Sequence, residues 1–257
     1  MHASTHSFVF RLFAFSFCWA TFSSLPAAEE VQCVFRVVTW KNADPEALFY
    51  VQEGQPIKIE GLQASRRSDM HRYQGGSSFM LYDPASLNVP VAEGKTPPPP
   101  RPLAEVSLPK DIQHALLILF PAGEDDPLPY RVLVMNDDPD SFPFPSYKLV
   151  NFSRQRAAVI LGKQRIVLEP GQQKLTTSDE KTVNLLLAIP GRDGREWSLV
   201  YDNFFPNWAE ERSLVFIVED TRNGKSRVIP RVILENRRAW ELAIETLKTD
   251  SKPKENP

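Results

Sequence analysis

The sequence predicts an all-β protein, one or two sandwiches of antiparallel strands followed by a short C-terminal α-helix. Three observations carry this. Apolar and polar residues alternate with period two in many short runs, as where Ile57 and Ile59 alternate with Lys58 and Glu60, the mark of a half-buried strand. Turn chemistry separates the runs, with 23 prolines in 257 residues, at the ~8–12-residue spacing of sandwiches and barrels. One segment, 235–248, sets Ala239, Trp240, Ala243, Ile244 and Leu247 on a single helical face.

Residues 1–28 read as a secretory signal peptide. Arg11 is the only charged residue before Glu29. An apolar run over 12–25 follows it and ends at Pro26-Ala27-Ala28, the layout of an export signal with cleavage after Ala27 or Ala28. The run is shorter than the ~20 residues of a membrane span. The expected location is therefore periplasmic or extracellular.

The elements follow in order. Residues 31–40 are β-branched and aromatic and form a strand. Runs 48–52 and 56–62 flank Glu53-Gly54-Gln55 as a hairpin. Residues 64–74 are polar and basic and read as a loop before a strand over 77–82. Asp83-Pro84-Ala85-Ser86 is a turn and 87–92 a short strand. Residues 93–102, with Pro97-Pro98-Pro99-Pro100, form an extended polyproline loop. Strands follow at 103–108 and 130–135, and between them 115–120 is apolar throughout, as in a strand buried on both faces. Residues 136–145 hold three prolines and mark a junction. This gives an N-terminal β domain over 29–139, a second sandwich over 140–236, and a helix with a polar tail over 237–257.

The second half repeats the style. Strands fall at 146–152, 157–161, 165–168, 172–176, 183–189 and 196–201. Residues 204–206 read as a loop. Strands 212–219 and 227–234 flank Asn223-Gly224, the strongest two-residue hairpin signal in the chain. Asn236 is placed to cap the helix. The sequence shows no exact internal repeat. Strands and tight turns over 147–171, closed by Pro170-Gly171, resemble the immunoglobulin-like modules of bacterial surface proteins; this likeness rests on turn chemistry, covers a small part of the chain and assigns no site residues.

Composition narrows the function. The net charge is −2, and −3 once Arg11 leaves with the signal, which gives no bulk attraction for nucleic acid. The mature chain has no transmembrane segment. It keeps one cysteine, Cys33, so it has no internal disulfide, and Cys33 alternates with Val31 and Phe35 as a core residue.

Catalytic constellations are thin. His71 and His114 are the only mature histidines, and no G-x-S-x-G element occurs. His71 lies in a basic loop able to hold an anion, although a solvated loop is the simpler reading. Asn136, Asp137, Asp138 and Asp140 offer oxygen ligands for calcium, but their spacing fits an ordinary acidic turn better. Glu210 and Glu211 beside Trp208 are the nearest approach to a glycosidase pair. No cofactor is expected.

The distinctive feature is the aromatic cluster Trp197, Tyr201, Phe204, Phe205 and Trp208. Residues 202–211 read as a recognition loop, with Phe204, Phe205, Asn207 and Trp208 as binding residues. The competing reading places these rings in the core. The expected function is a non-catalytic binding or structural-assembly module of the cell envelope, with an envelope protein or polysaccharide as partner. A carbohydrate-active hydrolase or carbohydrate-binding module is the alternative.

Overall fold

The computed structural model describes residues 30–39, 47–87, 99–191, 193–222 and 225–250. The signal segment, most of the polyproline run and Asn223-Gly224 lie outside the described residues. The first eight strands are β1 (Glu30–Val38), β2 (Phe49–Gln52), β3 (Gln55–Lys58), β4 (His71–Gly76), β5 (Ser78–Tyr82), β6 (Pro102–Ser107), β7 (His114–Pro121) and β8 (Tyr130–Asn136). A one-turn helix, α1 (Pro84–Leu87), follows β5. The next eight are β9 (Ser146–Asn151), β10 (Ala157–Leu161), β11 (Gln164–Leu168), β12 (Gln173–Thr176), β13 (Thr182–Pro190), β14 (Trp197–Pro206), β15 (Glu211–Arg222) and β16 (Lys225–Asn236). Helix α2 (Arg237–Asp250) follows.

Among the described residues the strands form four four-stranded sheets. In chain terms they are sheet I (β3-β2-β5-β6), sheet II (β4-β1-β7-β8), sheet III (β12-β9-β15-β16) and sheet IV (β11-β10-β13-β14). Their side chains interleave in three apolar layers. Phe35, Tyr50, Phe79 and Leu117 belong to a core between sheets I and II. Leu149, Val159, Leu185 and Val215 belong to one between sheets III and IV. Leu116, Ile118, Leu214 and Phe216 close the gap between sheets II and III. The strand β7 is therefore buried on both faces, as its continuous apolar run predicts. Ala115, Leu117 and Leu119 face one core while Leu116 and Ile118 face another.

Each run of eight strands makes the same pair of sheets. In both, the first strand lies between the fourth and seventh, with the eighth outside. In both, the second lies between the third and fifth, with the sixth outside. The register extends the match to single residues. Arg36 pairs with Leu116 as Lys148 pairs with Leu214, and Val38 pairs with Ile118 as Val150 pairs with Phe216. Glu235 stands opposite Arg212, and Asp137 donates its N–H to the His114 carbonyl at 2.9 Å in the matching place. The chain is thus an internal duplication of topology. It leaves no exact sequence repeat because topology conserves which face is apolar, not which side chain fills it.

Several local expectations change. Strand pairing is mostly antiparallel, but β1 runs parallel to β7 and β9 to β15. Part of the basic segment 64–74 is strand β4, with His71 and Tyr73 turned into the core and Arg67 bridged to Val38. Leu87 ends a helical turn rather than starting a strand, and 88–98 lie outside the described residues. Residues 204–206 continue β14. Glu235 belongs to β16, and α2 starts two residues later, its Arg238 N–H capped by the Asn236 side-chain oxygen at 3.0 Å. The hairpin at Glu53-Gly54 has the expected shape. Both residues take positive φ, 52° and 75°, the primed-turn geometry that suits strand twist.

Candidate functional site

The predicted binding residues divide between two roles. Phe204, Phe205, Asn207 and Trp208 do not sit together on a recognition loop. Phe204 and Phe205 are in β14, and only 207–210 connect it to β15. Phe205 pairs with Val183 and turns inward against the core with Tyr201. Asn207 acts as a brace. Its amide donates to the Ser178 and Glu180 carbonyls at 2.9 and 2.8 Å, and its oxygen accepts from the Tyr147 hydroxyl at 2.9 Å. Phe204 and Trp208 face outward, 63% and 59% exposed.

On the outer side of sheet IV Phe204 stands opposite Asn184, and Asp202 separates it from a longer apolar row. Across the outer side of sheet IV, Val167 is aligned with Ala158, Ala158 with Ala188, and Ala188 with Leu199. This row crosses all four strands, and its ends Val167 and Leu199 are 50% and 59% exposed. Trp197 extends it over Pro190, with the Arg156 guanidinium 5.7 Å from its ring. The matching outer face of sheet I is interrupted by Lys58 and by Ser78 bonded to Glu105 at 2.7 Å. Apolar area exposed in a connected row marks an interaction surface, whereas scattered apolar residues do not.

The same face ends on an open edge. β14 is the last strand of sheet IV, and eight of its ten residues are exposed, Tyr201 and Phe205 being half-buried and none fully buried. Its partner register slips at Leu187/Ala188, which leaves Val200 as a bulge. Bulges and charges are the usual protection of an edge; here the bulge and Asp202 supply it between two apolar stretches. Beside the end of β14, Phe205, Trp208, Val232 and Leu234 line a cavity of about 110 Å³.

A second cluster lies where sheets II and III meet. Three arginines surround two carboxylates. Arg212 is fully buried and donates to Glu235 through Nε at 2.8 Å and to the Asp137 and Phe142 carbonyls at 3.0 and 2.6 Å. Its guanidinium lies 4.7 Å from the rings of Phe142 and Phe144. Arg36 binds Asp137 at 3.1 Å and also Glu235. Arg67 reaches Asp137 at 3.3 Å and Glu235 at 3.6 Å. Lys148, the counterpart of Arg36, donates to the Asn136 carbonyl at 3.0 Å. The duplication explains the cluster, since matched positions on the two sheets meet at their shared face.

This geometry sets the titration of Asp137. Burial alone raises its carboxyl, but Arg67, Arg212 and Arg36 outweigh burial and hold it down at about 2. A depressed folded value contributes stability above the unfolded value of 3.8, and that contribution is lost as pH falls toward 2. The expected loss is about 2 kcal/mol from this group. Urea midpoints at pH 7, 4 and 2.5 check it; a protein equally stable at pH 4 and 2.5 rules it out. His71 acts earlier. Burial lowers its value from 6.5, and its Nε2 accepts the Glu60 N–H at 3.2 Å, so it is held neutral and its contribution begins to fall below about pH 6.5.

The other candidates disperse. Asp137 is committed to arginines, Asp138 lies 2.5 Å from His114 Nδ1, and Asp140 is exposed, so the acidic turn does not converge on a calcium site. Among the described residues no group of three His, Cys, Asp or Glu is placed to hold a metal. Glu210 pairs with Arg237 at 2.8 Å. Cys33 is buried, and burial pushes its thiol up to about 11, which leaves little thiolate at neutral pH. Among the described residues no helix is long and apolar enough to cross a membrane. Neither a protein-family model nor a curated protein matches the chain.

The exposed face was partly visible in the sequence, where the aromatic cluster drew attention to Phe204 and Trp208. Val167 and Leu199 were missed because nothing local says which side of their strands meets water.

Proposed function

We propose that this chain is an exported, non-catalytic β-sandwich protein that acts as a binding or structural-assembly module of the cell envelope. It captures an extended segment of a partner protein along β14 and the outer face of sheet IV. The supporting observation is the apolar row from Val167 to Leu199 ending on an open strand edge. Strand addition uses such an edge: main-chain hydrogen bonds supply affinity, and side-chain pockets supply specificity. The cavity beside Phe205 and Trp208 is sized for one apolar side chain of the added segment. Export rests on the layout of residues 1–28. The division at 139/140 into two domains, the second immunoglobulin-like, follows the duplication and belongs to the same reading.

The double variant Leu199→Lys with Phe204→Lys tests the face. Both side chains are exposed, so thermal stability should stay within about 0.5 kcal/mol of the parent. Cross-linking in intact cells, followed by purification of the partner, should give a defined complex with the parent and none with the variant. In that complex the β14 amides should gain protection from hydrogen exchange. Equal capture by the variant, or unchanged exchange along β14, overturns the reading. Retention on isolated envelope polysaccharide, lost in Trp208→Ala but not in the double lysine variant, would favour a carbohydrate-binding module instead.

A further inference from the structure

We propose that the cleft beside the arginine cluster is a binding site for a small oxyanion. The cleft has a volume of about 480 Å³. Arg36, Ser65, Arg66 and Arg67 line one side, and Glu235 and Asn236 the other. It lies apart from the outer face of sheet IV, shares Glu211, Val232 and Leu234 with the wall of the cavity beside Trp208, and does not depend on the function proposed for that face.

Charge balance is the first argument. Arg36, Arg67, Arg212 and Lys148 bring four cationic groups to this junction. Asp137 and Glu235 are the two carboxylates bonded within it, and Glu211 at the cleft wall adds a third acid. At the cleft wall itself Arg36, Arg67 and the exposed Arg66 face Glu211 and Glu235, so there too the cations exceed the acids by one. A buried charge without a counter-charge is costly, so an anion entering the cleft relieves the excess.

Hydrogen-bond satisfaction is the second argument, and it is independent of the first. The Arg67 side chain is 5% exposed. Its Nη1 is buried without a hydrogen-bond partner among the described residues. Its Nε has only the Glu235 carboxylate at 3.6 Å, beyond good hydrogen-bonding distance. Unpartnered guanidinium N–H groups are costly to bury, and on a residue that lines a cleft a small turn of the side chain would offer them to the paired oxygens of a phosphate, sulfate or carboxylate. The bridge to Val38 holds the Arg67 backbone at the cleft wall.

The site is tested by isothermal titration of the purified protein with sodium phosphate, sodium sulfate and sodium acetate, at ionic strength matched with sodium chloride. Thermal melts are run in parallel. One saturable site is expected, with a dissociation constant on the order of 1 mM or tighter and a rise in Tm of a few degrees. Preference for phosphate and sulfate identifies a tetrahedral ion as ligand, and preference for acetate a carboxylate. Arg67→Gln should weaken binding on the order of tenfold or more. Arg66→Glu, an exposed rim change that spares the buried network, should weaken it similarly, so a poorly folded Arg67→Gln does not leave the site undecided. Phosphate and sulfate also stabilise proteins by exclusion from the surface, but that rise does not saturate and is shared by both variants. A non-saturating response in the parent, or parental affinity in folded Arg66→Glu, overturns the proposal.

Discussion

Arg212→Ala is expected to destabilise the protein by about 3–5 kcal/mol, the cost of breaking a buried ion pair from one side. The reason lies in what remains. Glu235 loses its contacts to Nε at 2.8 Å and Nη2 at 2.6 Å, and Asp137 loses one of its three arginines. The carbonyls of Asp137 and Phe142 lose their donor in a place closed to water. Arg36 and Arg67 still face the two acids, so the charge is only partly compensated. Lysine should not rescue the site, because a point charge cannot reproduce the guanidinium fork or its stacking on Phe142 and Phe144. Urea denaturation at pH 7 measures the loss. A fall below about 1 kcal/mol would show that Arg212 is dispensable to the junction.

The second large effect belongs to the apolar side of the same junction. Phe216→Ala should cost about 3–5 kcal/mol, the range for truncating a buried aromatic. Phe216 is fully buried, its ring centroid 5.2 Å from that of Phe152, in the layer that holds Leu116 and Ile118 of sheet II. That layer joins the two eight-stranded halves, so the parent should melt in a single calorimetric transition. In the variant the melting temperature should fall for both halves together. Two transitions in the parent, or an unchanged melting temperature in the variant, would mean that sheets II and III are not coupled through this layer.

Both effects arise at a surface that local sequence patterns describe only in part. The run 115–120 announced a strand buried on both faces, because six consecutive apolar residues leave no polar side for water. It did not say what covered each face. Arg212 and Glu235 looked like ordinary charged residues at the ends of a strand and a helix. Their burial follows from the packing of one duplicated sheet on the other, which places Asp137 and Glu235 among arginines drawn from 36, 67 and 212. Basic and acidic residues this far apart carry no local signal of their pairing.

The candidate binding face shows the same division. The aromatic content near 204–208 was plain, and Phe204 and Trp208 are exposed as a recognition surface requires. Phe205 and Asn207 serve the fold instead, one in the core and one as a brace between loops. The loop expected at 204–206 is absent because β13 offers β14 a partner as far as Thr182, paired with Pro206, and the ladder outweighs the local preference for irregular backbone.

By itself the sequence determined the strand-rich class, the alternation that sets one face of each strand inward, the tight turn at Glu53-Gly54 and the cap of the C-terminal helix at Asn236. Each is a short-range matter: side-chain periodicity, the backbone freedom of a few residues and one capping oxygen. The tertiary structure alone decided the parallel pairs β1 with β7 and β9 with β15, the repeat of topology, the burial of Arg36, Arg67 and Arg212, and the exposure of the row from Val167 to Leu199. Each of these depends on which distant strand becomes a neighbour and which face is left over. Burial and pairing energies that settle such choices are summed over the whole packed chain, so they are written in no single stretch of it.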